Sequence, residues 1–167
     1  MAFSSLTRRG FGVLTAALLA SSALVAPAHA QTPPGVLVVG QIAEPQALDP
    51  HAVTAVNDFR ILMNLYDGLV RYASGTLEVE PALAENWEIS EDGTVYTFSL
   101  REGVSFHDGS VFDAEAVVWN FERMLNEDHP YHNTGPFPLS FFFSAIGSVE
   151  AVDDLTVQFT LNEPNAP

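Results

Sequence analysis

The chain of 167 residues contains no cysteine. That removes disulfides, thiolate metal sites and a cysteine nucleophile. It also removes the cysteine through which a lipid could be attached behind a leader segment, so the mature protein is expected to be unanchored. Basic residues are scarce: Lys and Arg number 6 against 21 Asp and Glu, for a formal net charge of −15 at pH 7. Arg8 and Arg9 fall in a leader without acids, so 6 − 2 = 4 bases serve the remaining chain. Such a surface repels phosphate backbones and anionic lipid, and nucleic acid is not expected as a partner. The acidity is read as a solubility device, not as a site.

Catalytic signatures are missing too. No nucleophile stands with its base, no glycine loop is built to cradle phosphate, and no dinucleotide fingerprint is present. The acid pairs Glu78 with Glu80 and Asp153 with Asp154 fall on the solvent side of a strand and in a turn. Neither place supplies the desolvation that tunes a carboxyl group for proton transfer. No enzyme activity and no cofactor are expected. There is no internal repeat and no low-complexity tract.

What is present begins with an export address over residues 1–30. Thr7-Arg8-Arg9-Gly10-Phe11 is its charged part, Val13 to Val25 its apolar part, and Ala28-His29-Ala30 a small-x-small cleavage site. The apolar run is too short to span a bilayer comfortably. Paired arginines with an aromatic two positions on look like a twin-arginine signal, against the alternative of a general secretory signal. Either route leads to the periplasm.

Beyond the leader, a hydrophobic content of 47% and an aromatic content of 11% allow a real core. Val36 to Ile42 is an apolar run between Gly35 and Pro45 and reads as a strand buried on both faces. From Val53 to Leu65, the residues Val56, Phe59, Leu62, Met63 and Tyr66 recur at helical spacing, with Thr54 as N-cap and Gly68 as stop. Asp92-Gly93 is a hairpin dipeptide. After it, Tyr96, Phe98 and Leu100 alternate with Val95, Thr97 and Ser99, which predicts a half-buried strand. Asp113 caps a second helix whose apolar stripe is Val117, Val118, Phe121 and Leu125. Asn126 to Ser140, with three prolines, a glycine and two histidines, reads as a long irregular excursion. Two more strands follow, Ile146 to Val152 and Leu155 to Leu161. Tyr66, Trp87, Phe98 and Phe106 are expected in the core. Phe141-Phe142-Phe143 cannot all point inward on a strand, so at least one meets a neighbour or a cleft.

Histidines offer one constellation that could suggest metal: His107-Asp108 with His129 and His132. His107-Asp108-Gly109 reads better as a turn in which the acid bonds its own backbone, and the other two sit in a solvated loop. No metal site is assigned.

The wording of several blocks goes further than their pattern. They run from Glu44-Pro45 and Leu48-Asp49-Pro50-His51 through Asn64-Leu65-Tyr66-Asp67-Gly68-Leu69-Val70 and Pro81-Ala82-Leu83-Ala84-Glu85. Trp87 through His107-Asp108-Gly109, Asp113-Ala114-Glu115, Phe121-Glu122-Arg123, Val152-Asp153-Asp154 and Phe159-Thr160-Leu161 complete the series. In this order they resemble the N-terminal signature of the family 5 extracytoplasmic solute-binding proteins, the dipeptide, oligopeptide and nickel receptors of ABC importers. Ser110-Val111 and Ala116 depart from that pattern at the surface or at a helix entry.

The resemblance implies an α/β fold, a partial lobe of a type II periplasmic binding protein, with a mixed sheet and an antiparallel meander. Residues 31–167 are then the N-terminal part of a longer two-lobed domain. It further implies capture of a small peptide or related solute by a monomer, and delivery to ABC permease subunits in the membrane. A periplasmic sensory module and, less favoured, a twin-arginine-exported cofactor enzyme are the alternatives. Residues just after Leu-Asp-Pro line the cleft in that family, which carries ligand contact to Val53, Thr54, Ala55, Val56 and Asn57. The acid that anchors a peptide's amino terminus lies in the family's second half and has no counterpart here.

Overall fold

A computed structural model describes residues 32–164. The expected leader and the last three residues lie outside the described residues. The chain divides into two compact units, residues 1–40 and 41–167. In the first, the chain turns at Pro34-Gly35, where the Val36 amide donates to the Pro33 carbonyl at 3.1 Å, and then runs exposed to Gly40. The buried strand expected at Val36 to Ile42 does not form: Leu37 and Ile42 are 86% and 89% exposed. A strand needs a neighbour to satisfy its amides and carbonyls, and no described strand pairs with this run.

The second unit holds helix α1 (Val56–Leu62), strands β1 (Val70–Tyr72), β2 (Val79–Pro81), β3 (Ala84–Ile89) and β4 (Val95–Leu100), helix α2 (Ala114–Leu125), and strands β5 (Ile146–Asp153) and β6 (Thr156–Leu161). Short 3-10 turns at His132–Thr134 and Ser140–Phe143 punctuate the excursion between α2 and β5. β1 and β2 form a two-stranded ribbon, and the main sheet has the order β3-β4-β6-β5. Of the expected mixed sheet, the described residues carry antiparallel pairings. Among the described residues, no helix is long and apolar enough to cross a membrane.

The β3–β4 hairpin turns at Asp92-Gly93, as its dipeptide predicts. Gly93 sits at φ +70°, a conformation that side chains with a Cβ rarely adopt. The Asp92 carboxylate accepts from Ser90 Oγ at 2.6 Å and from the Thr94 amide at 3.1 Å. These bonds favour the charged form and hold its pKa below the usual carboxylate range. Register then follows from the turn: Trp87 stands opposite Phe98 and Ile89 opposite Tyr96. Phe98 in turn faces Val157, and Tyr96 faces Phe159. One face of the sheet is therefore apolar across neighbouring strands, and α2 packs on it through Val117 and Phe121.

α2 starts where the sequence places it. Asp113 Oδ1 accepts from the Ala116 amide at 2.8 Å, and the Ala114 amide donates to the Asp154 carbonyl in the β5–β6 turn at 2.9 Å. The helix entrance is thus tied both to its own cap and to the far hairpin. Met124 is buried beside Ala114 and Val117 on this helix, while Leu125, expected on the stripe, is half-buried. We predict that Asp113→Ala lowers stability by about 1 kcal/mol, the usual loss of a carboxylate cap. In urea unfolding the midpoint should fall with an unchanged slope; an unmoved midpoint would show that the Asp154 carbonyl suffices to hold the entrance.

Candidate functional site

Helix α1 is shorter than its periodicity suggests. It runs seven residues, and Ala55, not Thr54, stands at its N-cap with no side-chain cap bond. At its other end, Asn64 and Leu65 donate to the carbonyls three residues back, both at 2.9 Å. This 3-10 tightening ends the helix ahead of Gly68. The expected apolar stripe is not buried as a stripe. Leu62 is sealed in, Phe59 is half-buried, and Val56 and Met63 are exposed. The helix inserts only a narrow edge, Asp58 and Leu62, which lie four residues apart on one line of the surface.

The five residues assigned to ligand contact thus form a short exposed entrance with two fixed points. Val53 is buried, Thr54 and Val56 are exposed, and Ala55 and Asn57 are half-buried. The Asn57 side-chain amide donates to the Glu44 carbonyl and to Asp58 Oδ1, each at 3.2 Å. Asp58 itself is 0% exposed and accepts from the Gln46 amide at 2.9 Å. Its Oδ2 is buried with no hydrogen-bond partner among the described residues. Asn57 and Asp58 together strap residues 44–46 to α1. In the sequence Asp58 is marked only as the one acid of α1, four residues before Leu62 on the same line of the helix.

A second fixed point precedes Val53. Asp49 Oδ1 accepts from the His51 amide at 2.9 Å, and the Ala52 amide donates to the Asp49 carbonyl at 3.1 Å, which closes a tight turn. Arg123, near the end of α2, meets the same carboxylate, with Nη2 at 3.1 Å from Oδ1 and 3.0 Å from Oδ2. Its guanidinium carbon lies 5.4 Å from the Trp119 ring centroid and 5.2 Å from that of Phe137, both within cation–π reach. Phe137 is buried and has φ +39°, the one positive φ of a non-glycine among the described residues. For a bulky side chain that conformation costs on the order of 1–3 kcal/mol. Next to it, an added Cβ on Gly135 would lie 3.2 Å from Ala52 Cβ, so the excursion is pressed against the turn.

Burial opposes ionisation of Asp49, but the Arg123 hydrogen bond, the His51 amide and the positive charge of Arg123 outweigh it and lower its pKa. For His51, burial is the largest cause and lowers the pKa. Asp49 pulls it upward and Arg123 pushes it further down.

These groups form the polar end of a concave region of about 1150 Å³. Its walls are mainly apolar, with Phe59, Met63, Tyr66, Phe106, Phe142 and Phe143 among them. Tyr66 and Phe106 therefore belong to a wall and not to the core: they are 50% and 43% exposed. Tyr66 donates its hydroxyl to the Leu48 carbonyl at 2.8 Å, while Trp87 and Phe98 are half-buried and stack toward each other at 6.3 Å. The Phe141–Phe143 run forms a 3-10 turn. Phe143 meets Phe121 edge-on at 5.5 Å, and Phe141 and Phe142 remain exposed against each other.

His129 and His132 are engaged locally, and Asp108 beside His107 closes a turn. Asp108 Oδ1 accepts from Ser110 N and Oγ in the expected turn, His129 Nδ1 accepts from the Tyr131 amide, and His132 Nδ1 lies 3.1 Å from the Arg123 carbonyl. Among the described residues, no three potential ligands converge.

A pH dependence follows from His51. Its folded pKa lies below its unfolded value, so the unfolded chain binds the proton more readily. Stability is then full above about pH 6.5 and declines as pH falls toward the folded pKa. Asp49 adds the same sign at lower pH, below about 3.9. We predict that His51→Gln flattens the stability profile between pH 7.5 and 5.5, measured by urea unfolding. An identical slope in wild type and variant would remove His51 as the cause.

The chain is 45% identical over 116 residues to heme-binding protein A of Haemophilus influenzae, covering 61% of this chain and 21% of that protein. It is 39% identical over 143 residues to the dipeptide-binding protein of Escherichia coli, covering 78% and 27%. Among solved structures, it matches the periplasmic binding protein DppA of Helicobacter pylori in complex with the peptide STSA. That match has a TM-score of 0.66 and 40% identity over 75% of this chain and 27% of the other. It also matches the dipeptide binding protein of Pseudoalteromonas in complex with Met-Leu, with a TM-score of 0.68 and 31% identity over 73% and 26%. The chain thus spans about a quarter of the length of these relatives, and its α/β fold is part of the type II periplasmic binding protein architecture. Residues 78–167 match the model of the bacterial extracellular solute-binding proteins, family 5 middle region, and the chain belongs to that family.

Proposed function

We propose that the chain supplies part of the first lobe of an extracytoplasmic receptor of an ABC importer, one that captures a small peptide or related solute and passes it to membrane permease subunits. No bond is made or broken in this role. The observation that carries the reading is the match to two peptide-bound family structures, over about three quarters of this chain. In this reading Val53, Thr54, Ala55, Val56 and Asn57 form a wall of the cleft. Their support is physical: the segment is exposed at Thr54 and Val56, yet anchored at Val53 and Asn57. A wall of this kind can meet an extended ligand without first losing much conformational freedom. Export is proposed through the twin-arginine route, with residues 1–30 removed and no lipid attached, and the protein acts as a monomer.

A cleft needs two walls, and an extended ligand against one wall keeps much of its surface in water. We therefore predict that this chain alone binds di- and tripeptides no more tightly than about millimolar, roughly −4 kcal/mol. A chimera with the remaining three quarters of the Pseudoalteromonas relative should reach micromolar. Replacing Thr54 and Val56 by Ala in the chimera should weaken binding about tenfold by calorimetry. Unchanged affinity in that variant would remove this segment from the site.

A further inference from the structure

We propose that Arg123 is a positioning residue for the Val53–Asn57 wall, acting through Asp49 and the turn that Asp49 closes; the inference rests on the ligand role proposed for that wall. The chemistry of Arg123 sets it apart from the other described arginines. Arg60, Arg71 and Arg101 are exposed, whereas the Arg123 side chain is 12% exposed in a strongly acidic protein. Several features converge on it. The Trp119 and Phe137 rings lie 5.4 and 5.2 Å from its cation. Phe137 takes up a backbone conformation unfavourable to its own side chain and lies buried there. His132, from the same excursion, contacts the Arg123 carbonyl at 3.1 Å. The excursion after α2 thus wraps the residue and limits the directions in which the guanidinium can point.

That direction is toward Asp49. Arg123 Nη2 reaches both oxygens of that carboxylate, at 3.1 and 3.0 Å, a charge-assisted contact that holds the carboxylate in place. Asp49 cannot rotate without loss of the His51 amide bond, and that bond with the Ala52 amide bond defines the turn. Val53 follows directly. The other side of the wall is held by Asn57 and Asp58 on residues 44–46. Between these clamps only Thr54, Ala55 and Val56 span the gap. The Asp49 clamp is the one supported from α2, the helix packed on the main sheet, so Arg123 links the wall to the core of the unit.

Backbone ¹⁵N relaxation on the full chain tests this without any ligand. The variants are Asp49→Asn, Arg123→Gln, the double variant and Arg123→Lys. Asp49→Asn is the mild probe, because its side-chain oxygen can still accept from the His51 amide while the ion pair is lost. Order parameters of residues 53–57 should drop from about 0.85 to below about 0.6 in either single variant and no further in the double. Arg123→Lys should be intermediate, and β3–β6 should stay rigid throughout. Should Arg123→Gln fail to fold, Asp49→Asn decides the matter. Unchanged order at 53–57 would overturn the proposal, as would a uniform loss across the sheet, which marks a merely structural pair. In the peptide-binding chimera, Asp49→Asn should weaken affinity about tenfold, and unchanged affinity there also counts against the proposal. A chimera that binds no peptide would instead refute the ligand reading, and the order parameters would still judge the latch.

Discussion

Phe159 joins the two layers of this unit. It meets Phe121 of α2 edge-on at 4.8 Å and Phe98 of the neighbouring strand at 5.5 Å. Aromatic pairs in this geometry contribute about 0.5–1.5 kcal/mol each beyond the area they bury. Their larger consequence is positional. Phe98 ties β4 to β6 beside the register that the hairpin turn sets, and Phe121 fixes the rotation of α2 about its axis. With that rotation set, Trp119 and Arg123 emerge on the side of α2 that meets the Asp49 turn. The apolar face of the sheet thereby decides where a distant cation can stand.

Two charged groups depart from the rule that charges stay in water. Asp58 is fully buried, and Arg123 is largely so, each with one polar atom that has no hydrogen-bond partner among the described residues. Taking a charge out of water costs several kcal/mol, recovered only with good pairing and hydrogen bonds. Two apolar residues of similar shape would satisfy packing more easily. What the charges add is direction. Asp58 accepts from the Gln46 amide, and Asp49, held by Arg123, accepts from the His51 amide; residues 44–52 have no regular secondary structure of their own, and these bonds give them one geometry where apolar contact would allow many.

The elements legible in the sequence are those whose signal is local. Asp92-Gly93 announces its turn because φ at Gly93 must be positive, and Asp113 announces α2 because its carboxylate reaches an amide three residues on. The strands at Ile146–Asp153 and Thr156–Leu161 follow from alternation and a two-residue turn. Where the signal is shared with distant residues, reading fails. Periodicity over Val53 to Leu65 predicts a helix with an apolar stripe, but burial depends on what lies opposite, and within α1 only Asp58 and Leu62 are fully covered. Val36 to Ile42 has the composition of an interior strand, and no strand among the described residues pairs with it. The Asp49–Arg123 pair is separated by 74 positions, and nothing in either neighbourhood points to the other.

The same distinction explains the concave region. Tyr66, Phe106 and Phe142 have the composition of core residues, yet they line a wall, because a residue's place is fixed by its neighbours as much as by its chemistry. Monomeric proteins seldom leave an apolar surface of this extent open to water. The family relatives are about four times longer than the matched region, and their additional chain offers material that could cover such a wall. The polar end of the region behaves differently from the rest of that wall. Asp49 is held within the unit by Arg123 and by the His51 amide, so this corner is fixed by contacts that do not involve the aromatic part. A lobe assembled from widely separated stretches needs such a corner, fixed by internal pairing, against which its exposed residues can be placed.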